Sequence, residues 1–475
     1  MSRYLIGIDN GSQSSKVTIF DEHGTPVSEG RVPLAPSDLP RPGVVEHPDD
    51  DVWDSIAEAC RIAMREFPGD RADIVGVGLC TIRFCRAMLR ADGSLAQPML
   101  SWMDARVGQP FVAEHDDIRW VTTSSGYVTH RLTGRFRDTA ANYQGVWPID
   151  TASWSWSEDD RRYEETGMAR ELLFELVQPG EVLGTVSAAA AELTGLPEGL
   201  PVIATANDKA VEALGCGLLD SGTLLVSLGT YIAGMSVGER DLPAGDAFWT
   251  NFGSTPGRYL YESGGIRRGM WTVSWFRDLL GPATAAAAAA AGDRVEDVLN
   301  REASEVPAGS DGLLTVLDWL APADASFRKG SMLGFDGRHG RAHLYRSILE
   351  GIAMTMGDRA QAMSDELGVA FDRVVVSGGG SSSDLMMQII ADVFRLPTVR
   401  MVGDSAAGRG AAVCAAVGTG VHPSFADAVA AMVRERDHFE PRVDEAAVYE
   451  ALGPVHRSIT MHTDDVYRQT AAIVG

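Results

Sequence analysis

Lysine is nearly missing from this chain. Of 41 basic residues only Lys16, Lys209 and Lys329 are lysines. A general preference for arginine explains the excess, and chance retention is one account of the three survivors. The other is that a compact ammonium with rotatable donors does something a planar guanidinium cannot, as at a phosphate. Cysteine is scarce too. Cys60, Cys80, Cys85, Cys216 and Cys414 make an odd count with no C-x-x-C pair and no His-rich neighbour. Free thiols in a reducing, cytoplasmic setting are the simplest reading, with disulfide or metal roles the alternative. No run approaches the roughly 18 apolar residues that span a bilayer, and Met1 to Asp9 lacks the apolar centre of a secretion signal. Cations are in deficit overall, with a net charge of −24, which argues against nucleic acid or an anionic membrane as partner. It leaves anionic small ligands open, because a site is set by local charge. No G-x-x-x-x-G-K-[ST] sequence occurs, so a Walker A loop is excluded.

What is present reads as an ordinary globular protein of two large domains. The 475 residues are 45% hydrophobic and 22% charged, enough for two cores. Tyr4 to Ile8 and Val17 to Phe20 are strand-like around the polar loop Asp9-Asn-Gly-Ser-Gln-Ser-Ser15, a hairpin pattern. Asp49 to Asp51 precede a helix whose apolar positions include Trp53, Ile56, Cys60, Met64 and Phe67. Strand-then-helix patterns recur at 74–79, 199–205 and 373–377, which gives an α/β class. A second hairpin is expected at 222–237, and the polar stretch Gly238–Gly245 is the expected boundary between lobes at 1–245 and 246–475. The alanine run at 285–291 is expected to be an exposed helix or surface loop.

Four elements carry chemistry. In the first loop Gly11 permits close backbone approach, the turn amides can form an anion-binding hollow, and Ser12, Gln13, Ser14 and Lys16 add donors and charge. Asp9 could hold a hydrated Mg²⁺. A plain hairpin turn is the alternative. Ser227-Leu-Gly229-Thr230 has the same character, so two such loops could grip a triphosphate from both sides. Val374-Val-Val-Ser-Gly378-Gly379-Gly380-Ser-Ser-Ser383 runs a strand into three glycines, where a base or phosphate could lie on the backbone. Finally, a strand at 200–204 leads into Asn207-Asp208-Lys209 and a helix. Asp208 then sits at a strand's C-terminal end, where α/β proteins place ligands. There it could take a proton from a hydroxyl during phosphoryl transfer, or it could merely cap the helix.

Together, in this order, these motifs resemble the FGGY carbohydrate kinases, of the actin, Hsp70 and hexokinase fold group. The resemblance spans nearly the whole chain and includes Arg328-Lys-Gly330-x3-Gly334 with His343, Arg346 and Glu350-Gly351. It implies two ribonuclease-H-like lobes around a cleft for ATP and substrate. It implies Asp208 as general base and Asp9 as the Mg²⁺-associated carboxylate. Gly11, Ser12, Gly229 and Thr230 would meet phosphates; Gly378 to Gly380 with Ser383 would lie near the nucleoside, and Gly330 belongs to the nucleotide set. The small substrate would meet Arg83, Phe84, Trp102, Asp104, Asn207 and Lys209, with core packing the alternative for Trp102. Glycerol kinases carry Arg-Glu, and xylulose kinases Met-His, where this chain has Arg83-Phe84. The resemblance therefore implies a small sugar or polyol acceptor without choosing a ketose over glycerol or erythritol. A non-catalytic ATP-binding regulator is the reading from another class. The segment between Arg106 and Arg131 is short for the family, and a homodimer stays open. Lys16 and Lys209 are expected to border the cleft, Lys329 less firmly.

Overall fold

The computed structural model describes residues 3–322 and 325–474; the outermost ends of the two expected lobes, 1–2 and 475, lie outside that range. Thirteen strands form the two large sheets. In chain order the first has β1 (Tyr4–Asn10), β2 (Ser14–Asp21), β3 (Pro26–Pro33), β4 (Ile74–Thr81), β5 (Val182–Thr185) and β6 (Pro201–Ala204). The second has β7 (Thr223–Leu228), β8 (Ile232–Gly238), β9 (Phe248–Phe252), β10 (Tyr259–Ser263), β11 (Arg373–Ser377), β12 (Thr398–Met401) and β13 (Glu435–Phe439). Seven helices matter here: α1 (Asp51–Glu66), α2 (Asp208–Gly215), α3 (Arg341–Leu367), α4 (Asp384–Phe394), α5 (Ala406–Gly418), α6 (Phe425–Met432) and α7 (Val443–Val474).

The sheets repeat one plan. Their orders are β5-β6-β4-β1-β2-β3 and β9-β10-β8-β7-β11-β12-β13. In the first, β1, β4 and β6 are parallel and β2, β3 and β5 antiparallel to their neighbours. In the second, β7, β11 and β12 are parallel and β8, β10 and β13 antiparallel, with β9 added outside β10. This is the two-lobed α/β architecture expected from the resemblance.

Central strands are apolar on both faces because helices cover both. On one side of the first sheet Ile6, Ile8, Val77 and Leu79 pack against Trp53, Ile56, Cys60 and Met64 of α1. In the second lobe Leu224, Val226, Val374 and Val376 pack against Ile348 and Ile352 of α3 and Ile389 of α4. Each such fully buried side chain contributes about 1.5–3 kcal/mol relative to exposure. A further core joins the lobes, bringing Cys80, Ala210 and Val211 against Leu225, Met235 and Val375.

The expected boundary at residue 245 is corrected in two places. β7 and β8 belong to the second sheet, because the parallel partner of β7 is β11, far along the chain. And the chain returns from the second sheet to cover the first: Ala412, Val413 and Cys414 of α5 pack with Leu5, Phe20 and Ile203. Backbone meets backbone there. A Cβ on Gly7 would lie 1.9 Å from the Gly408 carbonyl oxygen, so β1 needs glycine at that point. The alanine run forms a helix, Gly281–Ala290, buried only at Ala288. All five cysteines are buried free thiols. Among the described residues no helix is long and apolar enough to cross a membrane.

Candidate active site

The site is built around the start of α2. Asn207 is the helix cap, its Oδ1 accepting from the Ala210 amide at 3.0 Å. That frees Asp208, in the first helical turn, from the capping role the sequence left open. The Asp208 side chain keeps 27% of its surface open, while its Oδ1 is enclosed and has no hydrogen-bond partner. The Nε of Arg83 stands 3.8 Å from that oxygen. Burial pushes the Asp208 carboxyl above its usual range; Arg83 and Lys209 pull it down, and Glu262 and Glu212 push it up. A carboxylate so raised is a better proton acceptor near neutral pH than an exposed one.

Arg83 is held from across the cleft. Its Nη1 and Nη2 donate to Glu262 of β10 at 2.7 and 2.9 Å, a bidentate pair in which Glu262 is fully buried. The guanidinium lies 4.9 Å from the Trp249 ring centroid, and Phe84 stacks on the same indole at 6.1 Å. Phe84 adopts a φ of 65°, a conformation that costs a bulky residue about 1–3 kcal/mol; here it lets Arg83 and Phe84 share one aromatic partner.

The next turn of α2 ties the lobes together. Lys209 donates to Glu212 at 2.8 Å and to Ser227 of β7 at 3.0 Å. Glu212 accepts from Ser227 at 2.7 Å and from Ser377 of β11 at 2.5 Å. Burial opposes the charge on Lys209, but Glu212 and Asp208 outweigh it and raise its pKa. Burial likewise opposes the Glu212 charge, and Lys209 with the two serines outweighs it. Asp9, at the end of β1, is pushed to about 7 by burial, with Asp208 and Glu212 adding to the rise and Lys16 and Lys209 opposing it.

The three loops occupy strand ends. Gly11 to Gln13 close the β1–β2 hairpin, with the Gly11 amide on the Ser14 carbonyl at 3.1 Å; Ser12 and Gln13 are exposed and the Ser14 hydroxyl accepts from Arg31. The Gly229 and Thr230 carbonyls accept from the Met270 and Gly269 amides, which pins the second turn. Gly378, at φ 81°, passes so near this turn that a Cβ would lie 2.6 Å from the Leu228 oxygen. Thus the glycine-rich third loop is packed on the second. Gly379 has open space where a Cβ would be. Ser383 caps α4 and donates to Asn300 at 2.8 Å.

The structure therefore brings together Asp208, Arg83, Phe84, Asn207 and Lys209, and sets Asp9 and Lys16 beside them. Lys16 pairs with Glu29 at 3.0 Å and with Asp404, in the segment crossing to α5, at 3.6 Å. It does not project from an outer face. Lys329 does lie exposed. Trp102 is not a core residue: it is 47% exposed. Asp104 is corrected. It is buried and accepts from the Val45 amide and from the Arg106 amide and guanidinium, so its oxygens fasten a loop instead of meeting substrate. At Gly330 a Cβ would strike the Trp319 ring at 2.1 Å, so its small size serves that packing. Sequence reasoning missed Glu212, Trp249 and Glu262. Glu212 was detectable one helical turn beyond Asp208; Glu262 was detectable as a lone acid in the apolar strand Tyr-Leu-Tyr-Glu-Ser.

Two equivalent sheets, with a partly buried carboxylate where a parallel strand meets its helix, fit a two-lobed phosphotransferase. Family models agree in detail. The N-terminal domain of the FGGY family of carbohydrate kinases matches residues 4–115 and 112–215, and its C-terminal domain matches 224–419. The chain belongs to the FGGY family of carbohydrate kinases. It is 46% identical to the "uncharacterized sugar kinase YgcE" of Escherichia coli (strain K12), over 99% of this chain and 96% of that protein. It is 25% identical to a xylulose kinase of Bacillus subtilis (strain 168), over 98% of each. A crystal structure of gluconate kinase from Lactobacillus acidophilus shares the fold with a TM-score of 0.83 at 18% identity, covering 99% of this chain and 100% of that one.

Proposed function

We propose that the protein transfers the γ-phosphoryl group of ATP to a hydroxyl of a small sugar or polyol, with Asp208 as general base. The observation that carries this is the enclosed, unpartnered Oδ1 of Asp208 on a carboxyl raised by burial. The acceptor oxygen forms a bond to the γ-phosphorus as the bond to the β–γ bridging oxygen breaks. The hydroxyl proton passes to Asp208 and ADP leaves. Arg83 Nε–H, beside Oδ1, gives the same hydroxyl a donor for its lone pair. Gly11, Ser12, Gly229 and Thr230 bind phosphates, and Gly378 to Gly380 carry the nucleoside end, a division supported by the open space at Gly379. Positioning and electrostatics supply most of the rate enhancement in such transfers, and closing the lobes excludes water that would hydrolyse ATP.

Among the described residues no three ligating side chains converge as a metal site. An Mg²⁺ would be held by one or two carboxylates and by phosphate oxygens; Asp9, buried near Asp208 and Glu212, is the residue to hold it. The ion would neutralise charge on the phosphates. We place the protein in the cytoplasm, where its five unpaired thiols stay reduced. The acceptor is a ketose or a polyol. ADP release across C3 to C6 ketoses, aldoses and polyols, with product masses, tests the proposal: one acceptor should gain 80 Da and stimulate ADP release. No stimulation by any of them would favour a nucleotide-binding regulator.

A further inference from the structure

The first-lobe half of the acceptor site, Arg83 and Asp208, faces a surface that has so far entered only as a support for Arg83. On the β9–β10 hairpin Trp249 pairs directly with Glu262, so the two side chains share a face, and Asn251, two residues on from Trp249, shares it as well. The Asn251 Nδ2 donates to Glu262 at 3.3 Å, while its Oδ1 is buried and has no partner. Two enclosed oxygens without partners, Asp208 Oδ1 and Asn251 Oδ1, thus belong to residues that Arg83 and Glu262 link across the cleft. An oxygen left so would cost about 1–3 kcal/mol unless something donates to it, and hydroxyl groups are the donors a sugar brings.

Charge narrows the class. Two cations on this side are matched by a carboxylate: Arg83 by Glu262 and Lys209 by Glu212. Asp208 adds a further negative charge. A carboxylate on the acceptor would meet acceptors and anions, whereas an uncharged chain of hydroxyls would meet matching partners. Trp249 supplies apolar area for the carbon chain and holds Arg83 over its ring.

We propose that the β9–β10 hairpin is the second wall of the acceptor site, with Asn251 binding a hydroxyl, Trp249 backing the chain and Glu262 positioning Arg83, and that the acceptor is a neutral polyhydroxylated compound, not a sugar acid. This rests on the phosphotransfer reading above. The experiment compares ADP release with neutral acceptors (glycerol, erythritol, xylitol, glucitol, erythrulose, xylulose, ribulose, fructose) and with glycerate, erythronate, xylonate and gluconate. The best neutral acceptor should exceed every acid by at least 100-fold in kcat/KM. For that acceptor, Trp249→Leu and Asn251→Ala should each raise its KM at least 10-fold and leave the KM for ATP within twofold. Trp249→Phe, which keeps a ring, should recover part of the loss seen in Trp249→Leu. Glu262→Gln should lower kcat and Glu262→Asp should recover part of it, as befits a positioning residue. Preferential turnover of an acid, or an unchanged acceptor KM in Trp249→Leu and Asn251→Ala, would overturn the inference and leave the kinase intact. No ADP release with either set would overturn the phosphotransfer reading and this inference with it.

Discussion

The two sheets follow one strand order yet are loaded differently. At matching rungs the first lobe has Lys16, Asp9 and Cys80 across β2, β1 and β4, and the second has Ala233, Ser227 and Ser377 across β8, β7 and β11. The first lobe carries ionisable groups at its strand ends; the second carries hydroxyls and glycines. α2 of the first lobe reaches over with Lys209 and Glu212 and bonds to those very serines. The lesson is a division of labour on a repeated frame. One lobe supplies the base and most of the charge, and the other supplies Glu262 beside a backbone surface suited to a nucleotide.

The sharpest way to break this arrangement is to remove the charge that crosses. Lys209→Met leaves Glu212 mostly buried without its partner, and breaking such a pair costs about 3–5 kcal/mol. We expect a large fall in denaturation midpoint, whereas Lys209→Met with Glu212→Gln should recover part of it. A smaller effect should follow from Gly7→Ala, because the methyl group meets the α5 backbone; overpacking of this kind costs about 1–3 kcal/mol, read as a shift in urea midpoint. The mildest probe is Asp9→Asn. With its pKa raised from 3.8 to about 7, Asp9 contributes stability that is full below about pH 4 and is lost as pH rises through 7. The variant should therefore melt above wild type at pH 8, and the gap should shrink toward pH 5. A gap that widens on acidification would contradict the burial of that carboxyl.

Much of this was legible in the sequence. The loops were visible through Gly11, Gly229 and the 378–380 triplet, because a backbone that must approach another surface selects glycine. Asp208 was visible through the apolar strand before it. What stayed hidden depends on packing between distant segments. Arg83 and Glu262 are 179 residues apart, and no local pattern pairs them. The return of α5 to the first lobe was hidden as well, because an Ala-rich run looks the same whichever sheet it covers. Its trace was there in Gly7 and Gly78, glycines in otherwise well-formed strands, each lying against an α5 carbonyl. Asp104 misled for a different reason: the resemblance put it in the acceptor set, and its partners, the Val45 amide and Arg106, appear only in the fold.

The central claim is that the first lobe's Asp208 takes the acceptor's proton. It is tested most directly by comparing wild type and Asp208→Asn for acceptor-stimulated ADP release, with ATP affinity measured on the same samples. The prediction is a loss of about 10²–10⁴-fold in turnover with ATP affinity unchanged. Turnover preserved in Asp208→Asn would contradict it.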